Sequence, residues 1–353
     1  MLVTLGRILL LASALQCAQG LRIVPDHVFK NNRTSVVGRR DDGDAIDNNW
    51  TPITDWETFL LHTRTCGSSD AEADAAVSVL TIAEFGDILN DVKIINEGAY
   101  AATSTLQSAW TKMSNNEELS TEEKSQIDFY MAMYGTFKKD DNTGMTRASG
   151  QISRLTDFSN AFVQGLELGI FNIRIIWEDT AFELIDYIND DTSEKEEGWS
   201  FGNDAESFVI TRKSTSQNSI CEDADGNSLA LAFVMPGTAD YDYLTICPEG
   251  WTAFNEATTI SAQKAKSVSD LEYEDLDTVV KKPAESIFIH ELTHAGSFWG
   301  TLKTDDVALS KGDKAYGFEK IVQLAEEGNS EDDATELKSL KNADTYAYWA
   351  VAH

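Results

Sequence analysis

The sequence predicts an α+β fold, mainly helical, with a small β-sheet. Three observations lead there. Residues 71–113 are alanine-rich and free of proline, as a long helical stretch should be. Short β-branched or aromatic runs between turn residues fall between Phe208 and Ile246. A helical pattern returns after Pro283, with the proline in its first turn. At 353 residues the chain has room for one large domain or two ordinary ones.

Taken in order, residues 51–140 read as helical. Trp56, Phe59, Leu60 and Thr63 form one stripe, and residues 71–113 read as two helices broken near Asn96-Glu97-Gly98. Ser120-Thr121-Glu122-Glu123 is a capping box, opening a helix with Ile127, Tyr130, Met131 and Tyr134 on one face. Residues 162–177 suit a buried helix or a strand equally. Residues 190–198 are acid-rich and suit a linker or long loop. Strands are expected at 208–211, 229–234 and 241–246, with Met235-Pro236-Gly237 as punctuation.

Residues 1–20 have the layout of a signal peptide: Arg7, then the apolar run Ile8 to Leu15, then Ala18-Gln19-Gly20. A short prosegment, 21–40, would end at the dibasic pair Arg39-Arg40. Sequons at Asn32 and Asn49 fit a secreted, extracellular chain. Cys17 leaves with the signal. Cys221 and Cys247 flank the strand-rich stretch and form the natural disulfide pair, leaving Cys66 over. A formal net charge of −31 opposes nucleic acid and anionic membranes as partners and favours cationic peptides. No stretch after the signal is long and apolar enough to span a membrane. A monomer is expected.

The chemistry lies near the C-terminus. His290-Glu291-Leu292-Thr293-His294 is a His-Glu-x-x-His sequence on the expected helix. Histidines at i and i+4 share a face and suit one zinc ion per chain, and Glu291 suits a general base for water bound there. With only five histidines in the chain, chance placement of the motif is rare. Zinc needs a third protein ligand. Position 300 is glycine, which excludes the histidine of the metzincin arrangement. Glu319 is conceivable. Asp313 is the better candidate, with Tyr316 three residues on able to aim its hydroxyl at a developing oxyanion.

His290-Glu291-x-x-His294, Asp313-x-x-Tyr316-Gly317 and Asn342-Ala343-Asp344-Thr345-Tyr346-Ala347 together resemble the fungal deuterolysin-like zinc peptidases. These are the aspzincins, whose branches include peptidyl-lysine metalloendopeptidases. The resemblance covers roughly residues 200–353. It implies zinc on His290, His294 and Asp313, Glu291 as base and Tyr316 as transition-state stabiliser. Asp306, in the long gap before Asp313, is the alternative ligand. The implied organisation is a zincin-like peptidase domain, 196–353, preceded by a helical N-terminal region, 41–195. The implied activity is secreted zinc endopeptidase acting on protein or peptide substrates; the alternative is an inactive zincin-fold binding or surface protein. Asp344 matches a position that helps form the lysine pocket in the lysine-specific branch. Position 347 is alanine where those members carry an acid, so a non-exclusive preference for basic residues after the scissile bond is expected.

Overall fold

The computed structural model describes residues 50–53, 55–62, 82–135, 142–177, 182–188, 194–201, 210–212, 217–236, 241–264, 275–281, 283–328 and 338–353. The signal, the dibasic pair, both sequon asparagines and Cys66 lie outside these residues.

The fold is α+β and mainly helical, built on a five-stranded mixed sheet. Its strands are β1 (Trp50–Ile53), β2 (Trp56–His62), β3 (Ile173–Trp177), β7 (Ala232–Pro236) and β8 (Asp242–Ile246), in spatial order β1-β2-β3-β8-β7. β2, β3 and β8 run parallel; β1 and β7 are antiparallel to their neighbours at the two edges. A second, antiparallel sheet holds β4 (Phe182–Ile188), β5 (Lys195–Phe201) and β6 (Ile210–Arg212).

Residues 56–62 are therefore a strand, not the helix their stripe suggested. Phe59 and Leu61 are buried on β2 and alternate as strand residues do, and β3 supplies the backbone partners. Lys195–Phe201, at the end of the expected linker, pairs with β4 along its length. The ambiguous segment 162–177 contains both structures: a helix to Glu167, a turn with Gly169 at positive φ, then β3.

The parallel pair β2–β3 needs a crossover, and three helices lie in its described part. These are α1 (Ile82–Ser114), α2 (Thr121–Tyr134) and α3 (Asn142–Glu167). α1 is continuous through the expected break. Asn96 is buried there but satisfied: its amide donates to the Val92 carbonyl (2.8 Å), and its oxygen accepts from the Tyr346 hydroxyl (2.8 Å). Gly98 lets the chain end approach, since a Cβ there would lie 3.1 Å from the His353 carbonyl oxygen. The expected capping box forms at the start of α2, with Ser120 and Glu123 exchanging backbone-to-side-chain bonds.

After β8 come α4 (Pro248–Glu256), α5 (Ile260–Lys264), α6 (Leu276–Val280), α7 (Ala284–Thr293) and α8 (Gly296–Trp299), then α9 (Phe318–Gly328), α10 (Lys338–Lys341) and α11 (Ala343–Val351). All ten residues of α7 are buried. The helix packs against α1, α11 and β7, with Phe288 between Phe85 and Phe254. Truncating such a ring typically costs about 3–5 kcal/mol. One continuous hydrophobic core runs from Ile53 to Val351, so α1 and α3 pack in the same core as α7 and α11. A smaller cluster joins Phe182, Trp199 and Phe201 of the second sheet to Phe233, Met235 and Tyr243. The expected Cys221–Cys247 disulfide sits in that cluster. It closes a 26-residue separation, worth about 3.5 kcal/mol in the chain-entropy account.

Candidate metal centre

His290 sits in the last turn of α7 and His294 at its C-cap. Their Nε2 atoms face each other at 3.3 Å, as i, i+4 side chains on one face should. The third group is Asp306, whose Oδ1 lies 3.1 Å from His290 Nε2 and 3.3 Å from His294 Nε2. These three residues form a group that could hold a metal ion.

Asp306 reaches the site because its strand-like segment is tied down on both sides. The Thr304 N–H donates to the Thr293 carbonyl at the end of α7 (3.0 Å). Asp305 bridges to Asn342, with its N–H on the Lys341 carbonyl (2.7 Å). Asp313, the ligand expected from the sequence, is exposed and lies outside the group, as does the exposed Glu319. The physical reason is a looped-out excursion. Residues 307–315 fold back on themselves through the Ala308–Lys314 bridge and the Ala315 N–H to Val307 carbonyl bond (2.9 Å). Buried Asn342 pinches the base, its Oδ1 accepting from the Val307 N–H (3.1 Å) and its Nδ2 donating to the Ala315 carbonyl (3.1 Å). Asp313 rides at the tip, while Asp306 and Tyr316 are returned to the same place. The alternative ligand weighed in the sequence is the one the fold brings in.

The outer nitrogens of both rings are committed. His290 Nδ1 faces Asp344 Oδ1 at 2.9 Å, and His294 Nδ1 faces the Thr304 carbonyl oxygen at 2.9 Å. A carbonyl only accepts, and Asp344 is a carboxylate, so both Nδ1 atoms carry the hydrogen. When both rings are neutral, each points a bare Nε2 lone pair at the buried Asp306 Oδ1. Three acceptors converging without a proton repel one another. The side chains of His290, His294 and Asp306 are only 7%, 16% and 12% exposed, so water does little to relieve this. A cation resolves it. Burial pushes the His290 pKa down, but Asp306 and Asp344 outweigh it and raise the ring well above its ordinary range, so the site favours positive charge.

Asp344 has a task at this site that the sequence reading did not assign to it. Its Oδ1 orients His290, and its Oδ2 accepts from the Gly317 N–H (2.8 Å). Both oxygens are engaged, one on the ring and one on the backbone. Carboxylate–histidine pairs of this kind fix the tautomer and raise ligand basicity. Its sequence signal was its place in Asn342–Ala347, which marked importance without marking the task.

Glu291 is buried beside the histidines. Burial pushes its pKa up to about 7, against the pull of His290 and His294, with Asp306 adding to the rise and the Val234 N–H of β7 opposing it. The Tyr316 hydroxyl is buried near Asp306, Asp344 and Glu291 and makes no well-aligned hydrogen bond among the described residues. Burial first, then those three carboxylates, raise its pKa far above the usual phenol range, so it stays a donor. The expected base and hydroxyl thus both border the group.

No described helix is long and apolar enough to cross a membrane, and the disulfide is consistent with an extracellular protein. In comparisons with protein-family models, curated proteins and solved structures, nothing matches this chain.

Proposed function

We propose that the chain is a secreted zinc endopeptidase of the deuterolysin-like type, with a zincin-like catalytic centre. The observation that carries the reading is the convergence of His290 Nε2, His294 Nε2 and Asp306 Oδ1, three zinc-type donors, beside a buried Glu291. Two histidines and one carboxylate are a common catalytic zinc set, leaving a position open. Zinc bound there supplies a Lewis acid that polarises the scissile carbonyl and brings the pKa of water near 7.

The residues divide the remaining work. Glu291, buried beside the two histidines, accepts the proton of the attacking water and passes it to the leaving amine. Tyr316 donates its hydroxyl hydrogen to the oxyanion as it develops. Asp344 holds His290 in place. Among the described strands β7 has β8 on one side only, and its Val234 N–H reaches Glu291, so an extended peptide alongside β7 would pass the base. The peptidase reading draws support from that edge.

The test is bound zinc per chain together with casein hydrolysis, with and without chelator, on the wild type and Glu291→Gln. One zinc, chelator-sensitive hydrolysis, and a zinc-loaded Glu291→Gln about 10²–10⁴-fold slower are expected. Stoichiometric zinc without hydrolysis would favour the inactive binding protein, and no zinc at all would end the reading.

A further inference from the structure

We propose that Asp277, on α6, is a positioning residue for Tyr316: it locks the glycine hinge that aims the tyrosine hydroxyl at the metal centre. Tyr316 is followed by Gly317, at φ +85, a conformation that glycine adopts freely and other residues resist. Left alone, such a residue is a soft pivot for the side chain beside it. Here two carboxylates grip consecutive amides. Asp344 Oδ2 accepts from Gly317 N–H at 2.8 Å, and Asp277 Oδ1 accepts from Phe318 N–H at 2.8 Å. They come from α11 and α6, so the pivot is held from two directions at the start of α9.

Asp277 is itself fixed. Its Oδ1 also accepts from the Tyr348 hydroxyl (2.6 Å), and its Oδ2 pairs with Lys281 (2.6 Å). The ion pair lies directly over Gly317: a Cβ there would fall 2.7 Å from Lys281 Nζ and 2.9 Å from Asp277 Oδ2. Tyr348 is one helical turn beyond Asp344 on α11, so a single helix braces both carboxylates. Asp277 does not belong to the metal group and is not one of its hydrogen-bond partners, so it acts only through the backbone it holds.

The kinetic arm of the test rests on the peptidase reading; the exchange arm does not. In Asp277→Ala, kcat should fall about tenfold with KM little changed and zinc still stoichiometric. That is less than the roughly 10²-fold cost of a 1 Å misplacement, because Asp344 still holds one amide. Asp277→Asn, whose amide oxygen still accepts, should recover at least half of the loss. The double variant Asp277→Ala/Tyr316→Phe should be no slower than Tyr316→Phe alone within twofold, which general loosening of the fold would not produce. Independently, hydrogen exchange in the peptide spanning 315–320 should accelerate at least tenfold in zinc-loaded Asp277→Ala, without a matching rise in α1. If Asp277→Ala does not fold, Asp277→Glu, which keeps the charge but displaces the acceptor, is carried through the same measurements. Additive losses in the double variant, or unchanged exchange at 315–320, would overturn the proposal. If the wild type hydrolyses no peptide, the exchange result alone decides it.

Discussion

Replacing Asp344 by alanine removes the acceptor of His290 Nδ1–H and of Gly317 N–H in one step. The ring it abandons is 7% exposed, so water cannot replace the carboxylate fully. Losing a partner behind a metal-ligating histidine typically weakens metal binding 10–100-fold. At about 1.4 kcal/mol per tenfold, that is roughly 1.4–2.8 kcal/mol, the size of a charge-assisted hydrogen bond. The upper half of the range is expected, because two buried donors are orphaned together. Asp344→Asn should lose less, about tenfold. Its carbonyl oxygen can still take the Nδ1 hydrogen, but its NH2 group would then face the Gly317 N–H, donor against donor. The assay is competition with a chromophoric zinc chelator, run on wild type and both variants at one pH and ionic strength. An Asp344→Ala affinity within twofold of wild type would refute the reasoning. If zinc affinity held while the residue favoured after the cut site changed, Asp344 would return to the pocket role that the sequence resemblance implied.

Four further outcomes follow from the same geometry. Asp306→Ala should abolish stoichiometric zinc by metal analysis while Asp313→Ala leaves it intact; the reverse result would mean that the looped excursion is wrongly placed. Tyr316→Phe should lower kcat with little change in KM, because a hydroxyl that bonds only the oxyanion helps the transition state alone; a rise in KM at constant kcat would contradict this. Gly317→Ala should cost about 1–3 kcal/mol of stability in denaturant titrations, mainly from positive φ, since the nearer of the crowded atoms, Lys281 Nζ, can swing away. Burial raises the Asp277 pKa, but Lys281, the Phe318 N–H and Tyr348 outweigh it and hold the carboxyl below its ordinary range. Its stabilisation is therefore present above the unfolded value of about 3.9 and lost as pH falls through the folded one, so the stability gap between wild type and Asp277→Asn should shrink below about pH 4.

Much of the local structure was legible because short-range chemistry decides it. The capping box at Ser120 and Glu123 is a four-residue signature, and it formed. His290 and His294 share a face through helix periodicity alone, and Glu291 follows as their neighbour. Cys221 and Cys247 were identified by elimination and position. Strand β2 was misread because the spacing of Trp56, Phe59 and Leu60 suits a helix locally, whereas parallel pairing with β3, more than a hundred residues on, supplies the backbone bonds. The break expected in α1 failed for the same kind of reason. Asn96 and Gly98 look like punctuation until Tyr346 and the chain end at His353 pack against them.

The third ligand shows the division most clearly. Periodicity places two histidines one turn apart, but nothing local distinguishes Asp306 from Asp313, because both are acids in a loop. The choice is made by Asn342, an amide that grips Val307 and Ala315 at once and turns the residues between them outward. The role of Asp344 was beyond local inference too, since its partner His290 lies 54 positions away and meets it only when α7 and α11 pack. Sequence by itself determined the donor types and the helix that presents two of them. Tertiary structure decided which carboxylates complete the site, because a hydrogen bond between distant segments exists only once burial of their apolar faces has brought them together.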